Sequence, residues 1–248
     1  MHAFFLDIDG TFYDAQGVIL DADREAILAA RARGDKVFIN TARPLSGLPK
    51  EITAMPFDGF VCSCGQVLAV NGQVLYNRFI PHELIEKSLA LIDEFDACGV
   101  YYNCRERKTY RDENGVKSAD ELTDINQFYV SVSVSEEIDR RFGEYFFVHY
   151  ARENATRIRC MMPGVNKANG IRLCEELLAI RHEDTVAIGD YDDDISMIRY
   201  ARVGITLADA LPETVAAADF VTKPLTEAGT GYALMHPELW ENVKKKDG

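Results

Sequence analysis

Positive charge is scarce in this sequence. Lys and Arg number 27 against 40 Asp and Glu in 248 residues, a formal net charge of −13. A protein that grips a nucleic-acid backbone needs a basic face, so no nucleic acid is expected as a partner. A small phosphorylated ligand stays open, because one metal ion and one Lys can invert the field of a local site. Long apolar runs are missing too. Nothing approaches the roughly 18 apolar residues of a membrane span, so no membrane is expected as a partner. The opening MHAFFLDIDG has no basic leader and too short an apolar stretch for a signal segment. Cysteine is sparse, with six residues at 62, 64, 98, 104, 160 and 174. No pair has the C-x-x-C spacing of a zinc knuckle or redox motif. The expectation is reduced, mostly buried thiols in a cytoplasmic protein. Cys62 and Cys64 alternate with Ser63 in a strand-like stretch, and so are expected to share a face rather than bond each other.

What is present fits a soluble globular protein: 47% hydrophobic and 27% charged residues. The length suits one large domain or two small ones. Apolar runs predict strands over 3–6 and 36–40. A helical period predicts a helix over 21–33 that stops at Gly34. A further helix is expected over 44–54. This alternation reads as α/β with a parallel sheet. From residue 60 short strands follow, over 60–62, 67–70 and 73–76, with a hairpin turn at Asn71-Gly72. A helix is expected over 81–97. Strands over 100–102, 128–134, 146–150 and 157–161, with a helix from about 136, read as α+β material inserted into the α/β chain. The α/β pattern resumes with a helix over 168–178, a strand over 185–188 and a helix over 194–201. A strand over 203–205, a helix over 212–217 and a strand at 220–221 complete it. The lysines at 244–246 read as a solvated end.

Four places carry chemistry. Asp7-Ile8-Asp9-Gly10-Thr11 leaves the first strand. Carboxylates at i and i+2 point to one side of an extended chain, and at the end of a buried strand they repel unless a cation or proton intervenes. Mg²⁺ suits an all-oxygen site that also receives phosphate. An ordinary acidic turn also produces D-x-D-G. Thr41 follows the second strand, where a hydroxyl and a helix N-terminus can hold a phosphate oxygen, or where a Thr can simply cap the helix. Lys167 opens a helix, a position the dipole disfavours for a cation; neutralising a phosphate or a carboxylate would explain it, and a solvent-facing Lys is the other reading. Gly189-Asp190-Tyr191-Asp192-Asp193-Asp194 places four acids in five positions after a strand. A helix N-cap at Asp194 accounts for one of them.

In order along the chain, D-x-D-G-T, the Thr, the Lys and G-D-x-x-x-D resemble the motifs of the haloacid dehalogenase (HAD) superfamily of phosphohydrolases. The insert between Thr41 and Lys167 resembles the large cap of its Cof-type (type IIB) subgroup. The resemblance spans essentially the whole chain. It implies a Rossmann-like parallel-sheet core over 1–80 and 163–248, with an α+β cap over 81–162 that sets substrate specificity. It implies a Mg²⁺-dependent phosphatase of small phosphorylated metabolites, sugar phosphates foremost, working through an aspartyl phosphate. By position, Asp7 matches the nucleophile and Asp9 the acid/base. Thr41, Lys167 and Gly10 are the phosphate-binding candidates. Asp7, Asp9 (through its backbone carbonyl), Asp190 and Asp194 are the metal candidates. Arg105, Arg107, Lys108 and His149 are the insert residues that could reach the site. Three positions depart from the family pattern. Asp193 stands for a usual Asn, Ala42 for a Gly, and Asp209 for the Asn of a G-N-A loop; Cys64 also stands where Asn is common. Two other readings share these features: a phosphotransferase or phosphomutase on the same fold, and a receiver-like or catalytically inactive phosphate-binding protein.

Overall fold

The computed structural model describes residues 1–132, 135–150 and 156–245. Along the chain come β1 (Ala3–Leu6), α1 (Asp21–Ala32), β2 (Lys36–Asn40), α2 (Lys50–Thr53), β3 (Gly59–Cys62), β4 (Val67–Val70) and β5 (Gln73–Asn77). Then follow α3 (His82–Glu94), β6 (Cys98–Tyr102), β7 (Arg107–Tyr110), β8 (Gln127–Ser131), α4 (Glu136–Gly143), β9 (Phe147–Tyr150) and β10 (Arg157–Met161). The last part holds α5 (Lys167–Leu178), β11 (Thr185–Gly189), α6 (Ile195–Tyr200), β12 (Val203–Thr206), α7 (Pro212–Ala217), β13 (Phe220–Val221) and α8 (Gly229–Met235).

β1 is four consecutive buried apolar residues, so both of its faces must be covered, as in a parallel sheet between helices. It sits inside a sheet ordered β13-β12-β11-β1-β2-β3-β4-β5. Pairing is parallel from β13 to β3 and antiparallel from β3 to β5. Alternate residues feed opposite faces. Phe4, Leu6, Ile39, Val186 and Ile188 join one apolar cluster, while Ala3, Phe5, Phe38 and Ala187 join another. The inserted strands form a separate antiparallel sheet, β7-β6-β8-β10-β9. Most of the insert's buried apolar residues, with Tyr101, Phe128, Phe142, Ile158 and Cys160, form a cluster apart from those flanking the large sheet, while Met161 packs with Ala42, Cys64 and Val165. The fold is thus the expected parallel-sheet α/β core with an α+β insert.

Local expectations were met unevenly. Asn71 and Gly72 both take positive φ, 51° and 74°, as the hairpin turn requires. The helix expected over 44–54 is instead a 3₁₀ turn, Leu45–Gly47, and the short α2. Pro49 between them has no N–H for a helical ladder. Cys62 ends β3, and Ser63 and Cys64 turn at φ 51° and 53°, so the two cysteines do not alternate along a strand. β7 and α8 were not anticipated. Lys245 is not a solvated tail residue: its Nζ donates to the Ile198 carbonyl and to Asp219, at 2.7 and 2.8 Å. Val134 and Lys246 lie outside the described residues.

Candidate active site

Because β2, β1 and β11 run parallel as neighbours, the residues that follow them meet at one edge of the sheet. These are Thr41, Asp7 and Asp190, the place where open α/β sheets bind ligands. The Asp7 N–H continues the ladder to the Ile188 carbonyl at 3.0 Å, and the Thr41 N–H to the Val61 carbonyl at 2.9 Å. Lys167 is brought in by α5. Gly170, one turn on, lets this helix approach closely, since a Cβ there would lie 2.4 Å from Val61 and 3.0 Å from Asn40. Asn40 in turn donates to the Lys167 carbonyl at 2.9 Å.

Lys167 is buried, and its Nζ lies 2.7 Å from Asp7, 2.5 Å from Asp194 and 3.2 Å from Asp193. Burial works to lower the Lys167 pKa, but Asp193, Asp194 and Asp7 outweigh it and hold it well above its ordinary value. Burial, followed by the charge of Asp7, raises Asp194 well above the carboxylate range, against the pull of Lys167. Asp194 also turns back on its own loop, accepting the N–H groups of Asp190 and Tyr191 at 3.0 Å each. It does not cap α6 with its side chain. Thr11 donates to Asp190 at 2.8 Å.

Ligand atoms of Asp7, Asp190 and Asp194 lie within 4.8 Å of one another. This all-oxygen, carboxylate-rich donor set suits a hard divalent cation such as Mg²⁺. The neighbouring carboxylates, which together with burial lift Asp194, give such an ion a reason to bind.

The other candidates fall as follows. The Asp9 carboxylate stands outside that trio and is gripped by Arg43 at 2.6 and 2.7 Å. Gly10 turns the chain at φ 84°, and its N–H goes to the Tyr13 carbonyl at 2.9 Å. Thr41 is buried, accepts the Arg43 N–H at 3.2 Å and lines the same cavity as Asp7 and Lys167. The Ser63–Gly65 turn props this loop, with the Cys64 N–H on the Thr41 carbonyl and the Ser63 N–H on that of Arg43. Burial pushes the Cys64 thiol up to about 11, so it stays neutral at physiological pH. Asp209 faces elsewhere and receives the Leu225 N–H at 3.1 and 3.3 Å.

The cavity above Asp7 has a volume of about 330 Å³, within the size of small-ligand pockets. Its roof is the inserted sheet. In β10, Ile158 and Cys160 point into the insert's core while Arg157 and Arg159 line the cavity. Tyr129 of β8 pairs with Arg159 in register and lines it too, as does Tyr102 of β6. Of the insert candidates, His149 is in this wall, whereas Arg107 and Lys108 line a different hollow. Arg157, Arg159, Tyr102 and Tyr129 were missed, although the alternation in Arg157-Ile158-Arg159-Cys160 was a usable signal.

The family model described as haloacid dehalogenase-like hydrolase matches residues 4–144 and 118–234. The chain is 28% identical over 244 residues to the putative phosphatase YkrA of Bacillus subtilis, covering 93% of this chain and 95% of the relative. It is 26% identical to a phosphoglycolate phosphatase of Methanothermobacter thermautotrophicus, covering 97% of this chain and all of the relative. Among solved structures it resembles the HAD subclass IIB sugar phosphatase BT4131, with a TM-score of 0.81 and 25% identity, covering 96% and 100% of the two chains.

Proposed function

The chain belongs to the haloacid dehalogenase-like hydrolases and is an enzyme of their phosphatase type, and from that premise we propose that it hydrolyses small phosphorylated metabolites through an aspartyl phosphate, with Mg²⁺. The observation that carries this reading is the Asp7–Lys167–Asp194 contact at the carboxyl edge of the sheet, under a cation-rich roof. The likeness to a sugar phosphatase supports sugar phosphates as the substrate class. We assign residues 1–80 and 163–248 to the catalytic core and 81–162 to the cap. The six free thiols, four of them buried, fit a cytoplasmic setting.

In this reading an Asp7 oxygen attacks phosphorus and the ester oxygen leaves with a proton from Asp9. Asp9 then takes a proton from the water that attacks the aspartyl phosphate, which releases inorganic phosphate and restores Asp7. Lys167 and Thr41 hold phosphate oxygens, and the Gly10 turn sets the loop between the two carboxylates. Asp7, Asp190, Asp194 and the Asp9 carbonyl would hold Mg²⁺, which supplies charge neutralisation for the phosphoryl group. Positioning and neutralisation are most of what phosphoryl transfer needs. Phosphate release from a panel of metabolite esters, with Mg²⁺ and with excess EDTA, tests the proposal. Turnover that needs Mg²⁺ and yields free phosphate supports it. Full turnover in EDTA, or transfer of the phosphoryl group to another position or acceptor, overturns it.

A further inference from the structure

Among the described residues, three of the four fixed cations in the cavity wall have a carboxylate partner in that wall. The wall's carboxylates are Asp7, Asp9 and Asp193, and its fixed cations are Lys167, Arg43, Arg159 and Arg157. Lys167 sits on Asp7, Arg43 on Asp9 and Arg159 on Asp193, the last at 3.1 Å. Asp193 stands where the family usually has Asn, and here its carboxylate meets both Arg159 and Lys167. Among the described residues Arg157 has no carboxylate partner. Its guanidinium lies over the Tyr129 ring, 4.9 Å from the centroid, and its Nε is buried without a hydrogen-bond acceptor. A cation–π contact at a half-buried site recovers only part of what a guanidinium loses on leaving water. The backbone explains the placement. Arg157 and Arg159 share one face of β10, and the other face is committed to the insert's core through Ile158 and Cys160.

We propose that Arg157 recognises a second anionic group, a carboxylate or a phosphate, on the alcohol portion of the substrate. The inference rests on the phosphatase reading and deepens it. The transferred phosphoryl group lies on the floor with Lys167 and Thr41, and the leaving group extends upward to the inserted sheet. There Arg157 meets the distal anion as a planar fork, beside Tyr102 and Tyr129. A neutral polyol in the same place leaves the guanidinium unanswered.

The test compares matched esters on the full-length protein with Mg²⁺: glycerol 3-phosphate against 3-phosphoglycerate, and fructose 6-phosphate against fructose 1,6-bisphosphate. The anion-bearing member of at least one pair should have the higher kcat/KM by about 10-fold or more, the size of a charge-assisted hydrogen bond. The first pair reports a carboxylate, the second a phosphate. Arg157→Gln should bring the ratio within about twofold, and Arg157→Lys should keep an intermediate ratio. Thermal melts identify a variant that has not folded, and the Lys variant then stands in for it. Equal rates within both pairs, preference for the neutral members, or an unchanged ratio in Arg157→Gln each overturn the proposal. If no ester is hydrolysed, the phosphatase reading falls separately. Calorimetric binding of the same pairs still decides the role of Arg157, by whether the anionic member binds more tightly and whether Arg157→Gln removes the difference.

Discussion

The Arg43 guanidinium closes a fork on Asp9, with Nε 2.7 Å from one carboxylate oxygen and Nη2 2.6 Å from the other. Both residues are about one-third exposed, so the pair contributes little to stability. Its consequence is orientation. The fork fixes the Asp9 carboxylate in the wall of the cavity that Asp7 and Lys167 also line. Arg43→Gln should lower kcat by about 10–10²-fold, in the range that misplacing a catalytic group costs. Arg43→Lys should recover part of this, because an ammonium attracts the carboxylate without forking it. Wild-type kcat in the Gln variant would show that Asp9 needs no such guide.

Asp7→Asn should abolish turnover and leave the fold standing. An amide is nearly isosteric with the carboxylate but a poor nucleophile. Lys167 keeps Asp194 at 2.5 Å and Asp193 at 3.2 Å, so the buried ammonium remains compensated. Asp9→Asn should slow turnover by about 10²–10⁴-fold, the usual worth of general acid–base help. Steady-state rates alongside melting temperatures separate the two effects. A folded Asp7→Asn protein with wild-type rates would remove the nucleophile assignment.

The sheet and the floor of the site were legible in the sequence because short-range signals carry them. A buried apolar run ending in Asp7, and another ending in Thr41, place both residues at one edge once the strands are parallel. The acidic loop after β11 needed only its charge density to stand out. Less legible was everything fixed by contacts distant in sequence. Arg159 on β10 and Asp193 in the turn after β11 are 34 residues apart, and neither residue alone announces the pair. α8 was missed because Gly229, Gly231 and Thr230 are weak helix formers. It is held by packing on α1 and by the Gly231 N–H on Asp23. The expected helix over 44–54 fails at Pro49, which has no N–H for a helical ladder.

Replacing residues 81–162 by a short Gly/Ser linker should leave a folded core. The insert's apolar cluster is separate from the two that flank the large sheet, and Asp7, Thr41, Lys167 and Asp190 all lie outside the segment. The shortened protein should still hydrolyse p-nitrophenyl phosphate slowly with Mg²⁺, while losing preference among natural esters. A cap that closes over the leaving group excludes water and supplies its contacts. Circular dichroism and the ester panel give the readout. A folded truncation with the full-length ranking of esters would show that specificity resides in the core.

Asp23 gives a pH signature distinct from the active site. It lies fully buried on α1. One oxygen accepts the Gly231 N–H at 2.6 Å, and Oδ2 has no hydrogen-bond partner. Burial raises its pKa from 3.8 to about 6, against the pull of the Gly231 bond. The folded protein therefore holds this proton more tightly than the unfolded chain. The resulting stability is fully present below about pH 3.8 and is lost as pH rises through 6. The loss amounts to at most about 3 kcal/mol, from a gap of roughly two pKa units. Asp23→Asn cannot ionise. It keeps an acceptor for Gly231 but buries an amide N–H₂ where Oδ2 stood, at a cost of about 1–3 kcal/mol at every pH. The variant should thus melt below wild type near pH 4.5 and gain on it steadily up to pH 7–8. At about 2–4 °C per kcal/mol for a chain of this size, the relative gain should reach several degrees. Other groups titrate alike in both proteins and cancel from the difference. A melting offset that stays flat from pH 4.5 to 8 would show that Asp23 is already ionised in the folded protein throughout that range, so that burial does not raise its pKa.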